Sequence, residues 1–204
     1  MHWLRSIDET APGYPAIWLV GTPQRPRNLM ERSRLRRETA RVVLARQLRF
    51  PETEVAITHD PAGQPLLATA TINGLHVSLA TRAGVVAVAL ARQPVGVDVE
   101  LVDPAGALPR ETLHPDELQR LDALAPPQRP LAFAQLWAAK ESYVKALGTG
   151  FVRAPESFAV TLIAGERFRV ADPRRGVGAE GRLRTIENGG RETLAAAAIV
   201  LDDA

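Results

Sequence analysis

The chain of 204 residues contains no cysteine. That removes disulfides, thiolate nucleophiles and zinc–thiolate centres together, so any metal must be held by oxygen or imidazole. Lysine is nearly absent too: of 25 basic residues, all but Lys140 and Lys145 are arginine. Aromatic residues make up 5% of the chain and the net charge is +2, so the pI near 9.5 reflects a slight excess of arginine and not a polycationic surface. A nucleic-acid-binding module gains little from that balance. No apolar run approaches the roughly eighteen residues of a membrane span, and the opening MHWLRSIDET lacks the apolar stretch of a secretory signal. A cytoplasmic protein with no membrane partner is the expectation.

What is present is a chain with 46% hydrophobic residues, enough to build one large domain or two small ones. Short β-type runs are expected at 15–20, 55–58, 64–68, 75–80, 85–91 and 95–101, with a hairpin joining the last two through Arg92, Gln93 and Pro94. An arginine-rich amphipathic helix is expected over 29–48, ended by Pro51. After the loop DPAGALPR, the segment LHPDELQRLDAL reads as a short helix with Pro115 in its first turn and two acids facing the helix dipole. The strongest helix pattern runs from 131 to 147 and closes at Gly148, and four β-like runs finish the chain at 158–163, 168–170, 181–186 and 193–201. Each half thus has helices and a few strands, and the boundary is expected at the end of the hairpin, giving halves of 1–101 and 102–204.

Two stretches carry chemistry. In Val95-Gly96-Val97-Asp98-Val99-Glu100, alternation on a strand puts Asp98 and Glu100 on one face and the valines on the other. In the long helix, Trp137, Glu141 and Lys145 are spaced four apart and form one stripe. Three carboxylates from two elements make an all-oxygen site for a hard dication, for which Mg²⁺ suits, with positions left for water and a phosphate. Both lysines lie in WAAKESYVK, and a compact ammonium serves a point contact to phosphate or a proton transfer better than a planar guanidinium does. Plainer readings stand beside these: a wet face of an edge strand, a surface helix pair, a chance clustering of two lysines, and a solvated arginine face at Arg32, Arg34, Arg36, Arg37 and Arg41. The four histidines share no metal-site spacing.

The two stretches together resemble the paired signature of the 4′-phosphopantetheinyl transferases of the long, surfactin-synthetase-activating type: G-(I/V)-D-(I/V)-E, then F-x-x-x-W-x-x-K-E-(S/A)-x-x-K-x-x-G-x-G, met here from Gly96 to Glu100 and from Phe133 to Gly150. Gly63-Gln64-Pro65 sits where the family has G-K-P, the segment from Arg37 to Arg46 resembles its arginine-bearing first helix, and LHPDEL resembles its F-x-P-x-E segment. The resemblance implies an α+β fold of two pseudo-symmetric halves, each a small, mainly antiparallel sheet packed with helices, with coenzyme A in the cleft between them and a monomeric state. It implies transfer of the phosphopantetheine arm to a serine of an acyl, peptidyl or aryl carrier protein, releasing adenosine 3′,5′-bisphosphate. Asp98, Glu100 and Glu141 would hold Mg²⁺, Glu141 would take the serine proton, Lys145 would touch the phosphates, and Lys140 would orient the carboxylates. Arg37 would meet the 3′-phosphate, with Gln64, Ser78 and Asp98 also on the coenzyme side.

The sequence departs from the family at His76-Val77-Ser78-Leu79-Ala80, where the family carries N-(I/V)-S-H-(S/T) and Leu79 takes the place of a phosphate-contacting histidine. His76, three residues away, points to the other strand face and is no substitute. Gln64 replaces a lysine, and the stretch before Leu29 is shorter than the family's basic lead-in. Arg25, Arg27, Arg32 or Arg34 could compensate. The alternatives are a non-catalytic relative that binds coenzyme A or a carrier, and, more remotely, a nucleic-acid-binding module. Arg110, Arg120 and Arg129 are candidate rim contacts for an acidic carrier.

Overall fold

In the run from Val85 to Ala91 every residue is buried, as expected of a strand covered on both faces. A computed structural model of the chain describes residues 1–68, 74–106, 108–148, 153–176, 178–190 and 192–202. Thr149 and Gly150 of the helix signature, and Ala107 of the loop before the short helix, lie outside the described residues. Among the described residues nine strands form two sheets. The first has the order β1-β2-β6-β5, from β1 (His2–Leu4), β2 (Ala16–Gly21), β5 (His76–Arg82) and β6 (Val85–Ala91). The second has the order β7-β11-β10-β9-β8, from β7 (Val95–Leu101), β8 (Ala159–Ile163), β9 (Arg167–Ala171), β10 (Ala179–Asn188) and β11 (Glu192–Val200). A separate two-stranded ribbon pairs β3 (Ile57–His59) with β4 (Pro65–Leu67). The architecture is α+β.

Side-chain size sets the layers. One face of each sheet carries small or β-branched residues, and these meet in a shared layer that includes Ala87, Ala89, Val95, Val97, Val99, Ala196 and Ala198. Bulkier residues occupy the outer faces. Trp18, Val88 and Leu90 pack against Leu35, Val43 and Leu44 of helix α1 (Leu29–Leu48), while Phe158, Phe168, Leu183 and Ile199 pack against Phe133, Leu136 and Tyr143 of helix α3 (Arg129–Leu147). The result is helix, sheet, sheet, helix. Helix α1 starts at Asn28, whose side chain accepts the Glu31 N–H. Helix α2 (Pro115–Asp122) starts with a reciprocal box between His114 and Glu117, and α3 ends on Gly148 in the left-handed region at φ 66°.

The expected hairpin of 85–91 with 95–101 does not form. β6 already has β2 on one edge and β5 on the other, so it has no free edge, and the link at Arg92–Pro94 carries the chain across to the facing sheet. There β7 pairs antiparallel with β11, Asp98 opposite Ala197 and Glu100 opposite Ala195. The strand expected to close the first half thus hydrogen-bonds in the second sheet. Its valines fill the inter-sheet layer and Gly96, Asp98 and Glu100 face the other way, toward α3. A Cβ on Gly96 would sit 1.7 Å from the Ser142 carbonyl oxygen, so glycine there lets α3 lie directly on β7.

Candidate active site

Close contact between α3 and β7 brings the two signature stretches together. Lys145 Nζ donates to Asp98 Oδ1 at 2.6 Å and to the Val97 carbonyl at 3.2 Å. Glu141, one turn earlier on the same stripe, lines with Lys145 a cavity of about 400 Å³ whose other walls come from β5 (Ser78, Leu79), the β3–β4 turn (Gly63, Gln64, Pro65), α1 (Arg36) and the segment after α3 (Arg153). Glu100 opens instead onto a second cleft of about 290 Å³ with Arg82, Phe133 and Trp137, and its Oε1 pairs with Arg82 Nε at 2.8 Å. Asp98 is buried beneath Lys145.

The three carboxylates influence one another. Burial pushes the Asp98 carboxyl up despite the opposing Lys145 ammonium. Burial likewise raises Glu100 against the pull of Arg82, with Asp98 adding to the rise. Glu141 is raised by burial first and then by the charge of Asp98, with Glu100 contributing. Mutual repulsion in a half-buried place is what a dication would relieve, and the donors are the hard oxygens that magnesium takes, so the donor chemistry fits. Their present partners are Lys145 and Arg82, and among the described residues no three His, Asp or Glu side chains converge on one point.

The expected coenzyme-side residues divide. Gln64 and Ser78 line the cavity with Lys145. The Ser78 hydroxyl oxygen accepts the Val97 N–H at 3.1 Å, tying β5 to β7 and leaving its hydrogen to donate. Arg37 is exposed and off the cavity wall; Arg36 occupies it. The reason is helical phase. Of the six buried positions of α1, Leu35, Thr39, Ala40, Val43 and Leu44 share an arc whose middle is Arg36, Ala45 lies to one side of it near the helix end, and Arg37 falls at the arc's opposite edge. Burial, and then the neighbouring Arg37 charge, lower the pKa of Arg36, which makes an anion welcome there.

Lys140 does not orient the metal-site carboxylates. It is 1% exposed and donates to the Pro155 and Phe158 carbonyls and to Glu117 Oε1, each at 2.8 Å. Glu117 in turn accepts the N–H groups of Val160 and His114, so the pair fastens α2, α3 and β8 together. The arginines proposed as compensating contacts, Arg25, Arg27, Arg32 and Arg34, are not on the cavity wall; Arg153, which pattern reading passed over, is. It stands alone on a loop with no periodicity to mark it. Arg110, Arg120 and Arg129 each hold an internal partner: Asp122, Thr161, and the Leu124 and Asp122 carbonyls.

The cavity thus gathers Glu141 and Lys145, one helical turn apart on α3, with Arg36 from α1 and Arg153 from the segment after α3. The sequence profile of the 4′-phosphopantetheinyl transferase superfamily matches residues 94–197, and the chain belongs to that family. A Synechocystis protein carrying the same family name is 30% identical over 159 residues, 72% of this chain and 64% of its own. The 4′-phosphopantetheinyl transferase of Bacillus subtilis is 29% identical over 89 residues, 43% of this chain and 40% of its own. The 4′-phosphopantetheinyl transferase gsp of Aneurinibacillus migulanus is 27% identical over 119 residues, 58% of this chain and 48% of its own. The matches therefore span about two fifths to just under two thirds of the relatives' lengths.

Proposed function

We propose that the protein transfers the 4′-phosphopantetheine arm of coenzyme A to a serine hydroxyl of an apo acyl, peptidyl or aryl carrier protein. The serine oxygen forms a new bond to the phosphorus bearing the pantetheine, the bond from that phosphorus to the bridging oxygen breaks, and adenosine 3′,5′-bisphosphate leaves. The serine proton passes to Glu141, whose carboxyl is held above its ordinary value by burial and by the charge of Asp98. Lys145 offsets charge on the departing phosphate, Gln64 and Ser78 donate as neutral groups, and Arg36 takes the 3′-phosphate contact expected of an α1 arginine. A magnesium ion held by Asp98, Glu100 and Glu141 would neutralise charge on the diphosphate.

The observation that carries this reading is the shared cavity of Glu141 and Lys145, with Asp98 hydrogen-bonded beneath. Incubation with a panel of apo carriers, coenzyme A and Mg²⁺, followed by intact-protein mass measurement, tests it. A gain of one phosphopantetheinyl group on a carrier is expected. Leu79 favours a second reading, a relative that binds coenzyme A without transferring the arm; binding with no mass gain on any carrier would select it.

A further inference from the structure

We propose that Arg153 is a diphosphate-contacting residue of the cavity, a guanidinium locked in place by Asp172 and Tyr143 that supplies the anion contact missing where Leu79 and Gln64 stand. The inference rests on the coenzyme A reading above. Arg153 is 6% exposed yet lies on the cavity wall, and its Nη2 pairs with Asp172 Oδ1. Asp172 is itself fixed: Oδ2 accepts the Tyr143 hydroxyl at 2.8 Å and Oδ1 accepts the Arg174 N–H at 2.9 Å. The Phe158 ring lies 5.8 Å from the guanidinium carbon. Tyr143 projects from α3, so the helix that carries Glu141 and Lys145 also sets the position of Arg153.

A guanidinium has five N–H donors, and a buried one used only as a structural tie should have them satisfied. Here Nε is buried and has no acceptor among the described residues. Arg36 Nε, on the same cavity, is in the same condition. The wall thus presents Arg36, Arg153 and Lys145 around Glu141, with Lys145 paired to Asp98 and Arg153 to Asp172, and the two guanidinium Nε groups without an acceptor are the donors an anionic ligand can take up. Arg36 comes from the helix on the first sheet, whereas Arg153 and Lys145 come from the side of the second. That division gives the 3′-phosphate to Arg36 and the diphosphate to Arg153. Neither Leu79 nor Gln64 can bring a charge to the site, and Arg153 restores one from a different element.

Calorimetric titration of the full chain with coenzyme A and with dephospho-coenzyme A tests the assignment. Arg153→Gln paired with Asp172→Asn removes the cation without leaving a buried carboxylate unpaired. It should weaken both ligands by about 10- to 100-fold, the range of one or two charge-assisted hydrogen bonds. Tyr143→Phe, which loosens Asp172 and leaves every charge in place, should weaken both by a smaller factor. Arg153→Lys, a milder change for folding, should fall between wild type and the double variant. Wild-type binding by the double variant, or by both Tyr143→Phe and Arg153→Lys if the double variant melts as an unfolded chain, overturns the proposal while leaving the coenzyme reading intact. A loss confined to coenzyme A, with dephospho-coenzyme A unaffected, also overturns it, because it moves Arg153 to the 3′-phosphate. If wild type binds neither ligand, the coenzyme reading fails and the proposal with it.

Discussion

Lys140 and Glu141 are adjacent in sequence and opposite in role. Lys140 completes a buried ion pair, so Lys140→Met leaves Glu117 charged, 0% exposed and without its cation. Removing one partner of such a pair costs about 3–5 kcal/mol. Thermal melting should show a drop of about 10 °C, at roughly 2–4 °C per kcal/mol for a chain of this size. Glu141→Gln removes a carboxylate that its surroundings disfavour, so melting should be unchanged or higher, while transfer falls by about 10²–10⁴ with coenzyme A binding retained. An equal stability loss in both variants would contradict the separation. The same logic divides Arg36 from Arg37. Arg36→Ala should weaken coenzyme A about tenfold or more, and Arg37→Ala, at an exposed position, by less than about twofold in the same titration. Motif spacing alone could not choose between these neighbours, but the phase of the buried positions around α1 does.

At the scale of elements, most of the structure was legible because it is local. The helix at 29–48, the one expected from 131 to 147 with the glycine at its end, and most strand positions follow from periodicity and caps, whereas β1 at His2–Leu4 and the first two residues of α3 do not. The partner of β7 was not legible. A three-residue link after a β-type run reads as a hairpin, and only the occupancy of both edges of β6 sends β7 to the other sheet. The site survives that difference because the carboxylates' face depends on alternation within β7 and not on its neighbour. What the site needs is contact with α3, and Gly96 is its test. Gly96→Ala puts a methyl carbon 1.7 Å from the Ser142 oxygen and 2.7 Å from the Ala146 nitrogen, so the helix must move off the strand. Overpacking of this kind costs about 1–3 kcal/mol or more. Transfer should fall further than stability does, because the shift separates Glu141 and Lys145 from Asp98; hydrogen exchange along α3 and the carrier mass assay measure the two effects. Normal activity with an unshifted melt would show that α3 and β7 tolerate separation.

For the whole molecule, the three carboxyls make stability depend on pH in a direction opposite to that of ordinary paired acids. Asp98, Glu100 and Glu141 all have folded pKa values above their unfolded ones of 3.8 for aspartate and 4.5 for glutamate. Between the two values the native state holds protons that the unfolded chain has released, so stability falls as pH rises. Their contribution is complete below the unfolded values and is lost as pH climbs through the raised folded ones. Asp122 and Glu180, lowered by Arg110 and by Arg169, act only in the acid range beneath that window. Metal-free wild-type protein should therefore lose melting temperature as pH rises above the unfolded carboxyl values of 3.8 and 4.5, relative to the Asp98→Asn, Glu100→Gln, Glu141→Gln triple variant, whose subtraction removes every other titrating group. Magnesium should reverse the trend. At about 100 times its dissociation constant, a ligand that binds only the native state adds about 2.7 kcal/mol, an upward shift of roughly 5–10 °C near neutral pH. The shift should shrink as pH falls, because protons then compete for the same oxygens. A melt that magnesium leaves unmoved at neutral pH, or moves equally in the triple variant, would show that these carboxylates do not hold the ion.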